Sequence, residues 1–183
     1  MISLARIGRD RSFDEAVVLE RAAAIFSQQG YEATSVDDLV RGLSLHRGSL
    51  YQAFGSKRQL FVRALRTYVD NVLVPVAGEL AEHGPKVRLI EDLLTDDILD
   101  LLLVAALEAA PNDPEVATEV ERAMTLLVKS VADYEPSESV AVAALFGGRL
   151  ATRAHHRLLT AQRFTQMTAG SAPREKRRRT WRK

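Results

Sequence analysis

The sequence predicts an all-α chain. Apolar residues recur at helical spacing almost from end to end, no stretch sustains the period-two alternation of a strand, and no Asn-Gly or Asp-Gly pair marks a hairpin. The 183 residues are enough for one domain or two small ones.

The first helix is expected over residues 14–29. Val18, Ala22, Ile25 and Phe26 share one face, Phe13-Asp14 supplies the start and Gly30 the stop. A second, two-turn helix carries Val36, Leu39 and Val40 and ends near Arg41–Gly42, with Thr34 to Asp37 read as the S/T-x-x-D/E pattern of its N-terminus. After the connection Leu43-Ser44-Leu45, a third helix runs from about His46 to Phe54 and stops at Gly55. Ser56 with Gln59 reads as a further capping box. The long helix that follows, 57–82, has an inner stripe of Leu60, Phe61, Ala64, Leu65 and Tyr68 and should kink at Pro75. His83-Gly84-Pro85 breaks the chain. Helical segments are then expected at 86–95, 96–110, 115–133 and about 139–159, with Pro114 in a first turn.

Composition narrows the function. No apolar run approaches the ~18 residues of a membrane span, since Asp100 interrupts the longest, 99–107. The N-terminus lacks the apolar core of a signal peptide. Cysteine is absent, which fits a reducing cytoplasm and removes thiolate chemistry. The net charge of +1 conceals an asymmetry: +3 over residues 1–66, −9 over 67–160 and +7 over 161–183. Basic ends around an acidic middle suggest that the ends meet a polyanion. An enzyme is disfavoured: there is no phosphate-binding glycine loop, no G-x-S-x-G and no H-E-x-x-H. A metal or other cofactor is not expected either, with four scattered histidines and His155-His156 pointing about 100° apart on a helix.

Helices two and three are separated by a turn of three or four residues, the spacing of a helix-turn-helix, whose second helix enters the DNA major groove. Leu50, Ala53 and Phe54 give the third helix an apolar back. Arg47, Gly48, Ser49, Tyr51 and Gln52 remain for its front. Gly48 costs about 1 kcal/mol in a helix interior relative to alanine. That cost is offset if the backbone must approach DNA closely; otherwise Gly48 only sits in a loose first turn.

The runs "GRDRSFD" (8–14), "GYEATSVDDLV" (30–40) and "HRGSLYQAFGSKRQLF" (46–61) resemble the DNA-binding region of the TetR (tetracycline repressor-like) family, and "LLLVAALEAAPNDPEVA" (101–117) is more faintly similar to the regulatory domain of one subgroup. The resemblance implies an all-α homodimeric regulator: a three-helix helix-turn-helix domain joined by a long helix to a helical ligand-binding and dimerisation domain. It usually acts as a repressor released from operator DNA by a small effector. The implied division is 1–56 for DNA binding, 57–160 for regulation and dimerisation, and 161–183 as a basic, disordered tail.

Carried onto this chain, the family pattern sets Thr34 and Ser35 against a phosphate. Arg47, Gly48, Ser49 and Gln52 face base edges, and Tyr51 and Lys57 hold the DNA backbone. His46, opening the same helix, joins this DNA-facing set. Arg6, Arg9 and Arg11 form an arm for a minor groove, or else an ordinary frayed terminus. Ser44 occupies a turn position where the family often has glycine, and would be strained if that position is left-handed. Candidate effector contacts are Leu94, Ile98, Leu102, Met124, Leu127, Val128, Phe146, Arg149 and Leu150, for most of which core packing is the competing role. The homodimer is expected through helix 139–159, where Val140, Ala144, Gly147, Ala151, Ala154 and Leu158 form a stripe of mostly small residues. The second long helix of the family's dimer bundle is not recognisable after Thr160. A helical interaction protein that no longer binds DNA specifically is the alternative.

Overall fold

The computed structural model describes residues 13–84 and 99–130, together with Gly147 and Arg149. Every element among them is helical. Helix α1 (Glu15–Gln29) is capped by the Asp14 carboxylate, which accepts from Ala16 N at 2.9 Å, and ends at Gly30. Helix α2 (Val36–Leu43) and helix α3 (Arg47–Phe54) follow. Helix α4 (Lys57–Tyr68) starts at Ser56, whose hydroxyl accepts from Gln59 N, and Gly55 makes the preceding turn at φ 76°.

Pro75 does not end the long helix. The chain widens into a π turn, Val69–Leu73, and resumes as α5 (Val74–His83). Val74 N–H reaches back five residues to the Val69 carbonyl. A proline ring clashes with the carbonyl four residues earlier, and widening the turn before it relieves that clash. The same solution recurs downstream. Helix α6 (Asp100–Val104) passes into a π turn at Ala105–Ala109, two residues before Pro111, and a 3₁₀ turn at Ala110–Asn112 ends it. Helix α7 (Pro114–Ser130) begins at the Asp113 carboxylate, which accepts from Glu115 N and Val116 N.

One continuous apolar core runs from Val18 to Leu127. Helix α1 packs along α4 and also touches α2 and α6; α7 packs on α5 and α4. Phe26 and Phe61 meet edge to face at 4.9 Å, and Tyr31 closes on Phe61 at 4.7 Å. Fully burying side chains of this size contributes about 1.5–3 kcal/mol each. This aromatic cluster fixes the angle at which α1 and α4 carry the short helices α2 and α3.

Charge joins α4 to α7. Arg58 donates to both oxygens of Asp113 at 2.5 and 2.8 Å and to Glu115 at 2.9 Å. Arg66 spans Glu115 and Glu119, and Arg122 spans Glu119 and Asp70. On the other side Arg63 pairs with Glu15 of α1.

Several expectations are corrected here. The N-terminus of α2 is Ser35, with its partner Asp38, and not Thr34 with Asp37. Two hydroxyls in succession compete for that position, and Thr34 is the one taken into the core. Arg149, one of the candidate effector contacts, is buried and donates to Asp100 at 2.8 Å. Met124 and Val128 lie on an exposed face of α7, whereas Leu102 and Leu127 are core residues. The arm residues, helix 86–95, Leu94, Ile98, Phe146, Leu150, most of helix 139–159 and the basic tail lie outside the described residues.

Candidate nucleic-acid interface

The site is built from α2, a three-residue turn and α3. Ser35 sets the start. Its hydroxyl accepts from Asp38 N at 3.1 Å while the Asp38 carboxylate accepts from Ser35 N at 3.0 Å, so both orphan donors are satisfied. The Ser35 bonds and the nearby Arg41 guanidinium hold the Asp38 carboxyl below its ordinary value. Ser44 ends α2 in the left-handed region, φ 54°, the one non-glycine residue to do so among the described residues. Its N–H closes on Arg41 O, and Leu45 N–H on Val40 O. The chain can then turn sharply enough for α3 to begin at Arg47, with His46 as its N-cap, whose carbonyl accepts from Leu50 N at 3.0 Å and whose side chain makes no capping bond.

Leu50 and Phe54 anchor α3 from behind, and both are buried. Phe54 stacks on Phe13 and lies under the Arg63 guanidinium. The front remains in water. His46, Arg47, Gly48, Tyr51 and Gln52 are exposed, and Ser49 is half-buried at the edge. Arg47, Gly48, Tyr51 and Gln52 follow the i, i+1, i+4, i+5 pattern, so the structure brings them to one side of the helix. A Cβ built on Gly48 meets no heavy atom within 4 Å, so nothing among the described residues demands glycine there.

Three of the expected phosphate ligands are used internally, Ser35 in the cap just described, where its hydroxyl also donates to Asp38. The Thr34 hydroxyl is buried and donates to Gly30 O at 2.5 Å. The Lys57 ammonium donates to the carbonyls of Tyr31 at 2.7 Å and Thr34 at 2.8 Å, and sits 4.4 Å from the centre of the Tyr31 ring. It ties the α1–α2 loop to the start of α4. Burial raises the Tyr31 phenol above its ordinary value, with Glu32 adding to the effect.

One participant was not anticipated. Asp37 Oδ1 accepts from Arg47 Nη2 at 2.6 Å. This contact raises the already high pKa of the guanidinium. The two residues stand ten apart on different helices, so no periodicity signals their meeting; it follows from the turn at Ser44.

A half-buried scaffold presenting a donor-rich short helix after a tight turn defines a helix-turn-helix protein. Residues 18–64 match the model of a family described as bacterial regulatory proteins, tetR family. The chain is 35% identical over 126 residues to the HTH-type transcriptional regulator YezE of Bacillus subtilis, a match spanning 63% of this chain and 65% of that protein. It is 35% identical over 89 residues to the HTH-type transcriptional repressor BdcR of Escherichia coli, spanning 49% of this chain and 45% of BdcR. The solved structure of the TetR family transcriptional regulator CifR, a cysteine mutant complexed with 26-bp double-strand operator DNA, is similar at TM-score 0.59 and 26% identity, covering 91% of this chain and all of CifR. Residues 18–64 thus carry a tetR-family DNA-binding segment, and the chain spans less than two thirds of the length of the curated relatives it matches.

Proposed function

We propose that this chain is a repressor that binds operator DNA by laying α3 in the major groove. The exposed face of Arg47, Gly48, Tyr51 and Gln52 over a buried back carries the reading. Arg47 suits guanine O6 and N7, Gln52 suits adenine N6 and N7, and Tyr51 suits a phosphate. Gly48 lets the backbone come close to a base pair. BdcR, named a repressor, supports the sign of regulation, and the CifR complex supports a duplex operator as the partner.

The operator holds two half-sites read by a homodimer. A single module buries little surface, and paired modules sit about 34–36 Å apart or at multiples of that distance. Helix 139–159 supplies the dimer contact, and a small apolar effector bound in the C-terminal half releases the DNA. Selecting bound fragments from sheared genomic DNA gives the operator and its spacing. On that operator Arg47→Ala loses about 1–3 kcal/mol and relaxes the choice of base at one position per half-site. Equal affinities of the parent and Arg47→Ala across all selected sites would refute base reading by α3.

A further inference from the structure

We propose that Asp37 is a specificity-determining residue: it positions the Arg47 guanidinium for base reading and penalises DNA on which Arg47 finds no matching base. The inference rests on the reading of α3 as the recognition helix.

The pair is short, 2.6 Å, yet its side chains are 56% and 72% exposed. Neither packing nor desolvation forces the two groups together. An exposed ion pair contributes roughly 0–1 kcal/mol to stability, too little to make it a main brace between α2 and α3. Its other consequence is electrostatic. Asp37 places a carboxylate beside the recognition helix, on a surface that must meet a polyanion, and there it opposes any DNA. Asp38, its neighbour, is already engaged by Ser35 and by Arg41 at 3.3 Å.

Guanidinium geometry makes the cost selective. Arginine has five N–H donors, and Asp37 takes one on Nη2. A two-donor edge is left, enough for guanine O6 and N7 while the Asp37 bond persists. On a matched site the carboxylate therefore stays neutralised and Arg47 arrives already oriented. On an unmatched site Arg47 gains most by swinging to a phosphate. Asp37 then loses its partner and stands bare against the DNA backbone.

The test uses the full chain with three duplexes: the selected operator, the operator altered at the base pair that Arg47→Ala relaxes, and random sequence. Asp37→Ala should tighten binding to random DNA and lower the operator-to-altered-site ratio, each by about fivefold. Asp37→Asn keeps an acceptor without the charge. It should tighten random DNA equally and retain more of the ratio; it also serves if the alanine variant folds poorly. In an Arg47→Ala background, Asp37→Ala should leave the ratio within about twofold while still tightening random DNA. A ratio unmoved by both Asp37 variants, where Arg47→Ala still lowers it, overturns the role of Asp37 and leaves the pair a brace. A ratio unmoved by Arg47→Ala itself overturns the underlying reading of α3.

Discussion

Lys57→Met separates a structural lysine from a DNA-contacting one. The substitution keeps an apolar stem out to Cε but removes two bonds from an ammonium, to Tyr31 O at 2.7 Å and Thr34 O at 2.8 Å, and its contact with the Tyr31 ring at 4.4 Å. Hydrogen bonds to charged groups contribute about 1.5–3 kcal/mol each. The site is half-buried, and two bonds from one group do not add fully. The expected loss is therefore about 2–3 kcal/mol. For a chain of this size each kcal/mol moves the midpoint by roughly 2–4 °C, so melting should fall by about 5–10 °C. Urea unfolding gives the free energy, and operator titrations at several salt concentrations give the number of phosphates neutralised. If Lys57 touched phosphate instead, stability would change by less than about 0.5 kcal/mol, affinity would fall alike on all sequences, and the salt slope would drop by about one. That pattern would refute the internal role.

Gly48→Ala should raise stability by up to about 1 kcal/mol in thermal unfolding, because the added Cβ meets open space, while weakening operator binding in the same preparation. Unweakened binding would show that α3 needs no close approach at that residue. Ser44→Gly should stabilise the chain by roughly 0.5–1 kcal/mol in urea, since it relieves a left-handed serine at φ 54°, offset in part by the greater freedom of unfolded glycine. Acid should weaken the fold through Asp38 and Asp113, whose carboxyls are held below the ordinary 3.8, the first by Ser35 and the second by Arg58. Their contribution is complete above that value and lost as pH falls through the depressed ones, because the unfolded chain binds the protons first. Denaturant midpoints measured from pH 5 to pH 2 should fall, and Arg58→Gln should flatten the decline.

The first four helices were legible because each is punctuated by local chemistry. Asp14, Gly55 and Ser56 act within four residues of their own position, and a cap is a short-range device. The left-handed turn at Ser44 was raised only as a condition, from a position where the resembled family often has glycine. Legibility failed where the deciding partner was remote. Thr34 and Ser35 are equivalent as letters, and only burial assigns one to the core and the other to the cap. Lys57 looked like a surface cation until the loop at Tyr31 folded over it. Asp37 read as the acidic end of a capping pattern; its pairing with Arg47 exists only once the turn has closed. Met124 and Val128 satisfy a helical period, but a period does not say which of two faces meets the core.

The π turn before Pro75 does more than relieve a proline. Phe61, Leu65, Val69, Leu73 and Ala77 are all buried, at every fourth residue. In an ordinary α-helix each such step overshoots a full turn by about 40°, and four steps would put Ala77 on nearly the opposite side from Phe61. The wide turn absorbs about one residue, or some 100°, and holds the drift within the width of a buried stripe. It works as a leap day does in a calendar, one surplus unit restoring phase with the core. Taking a single residue out of 69–73 would close the turn and leave Ala77 and Leu80 facing inward. Taking one out of α5 would swing everything after the cut. A deletion within 69–73 keeps the phase of the buried stripe but restores the clash before Pro75, so the turn serves both the core and the proline.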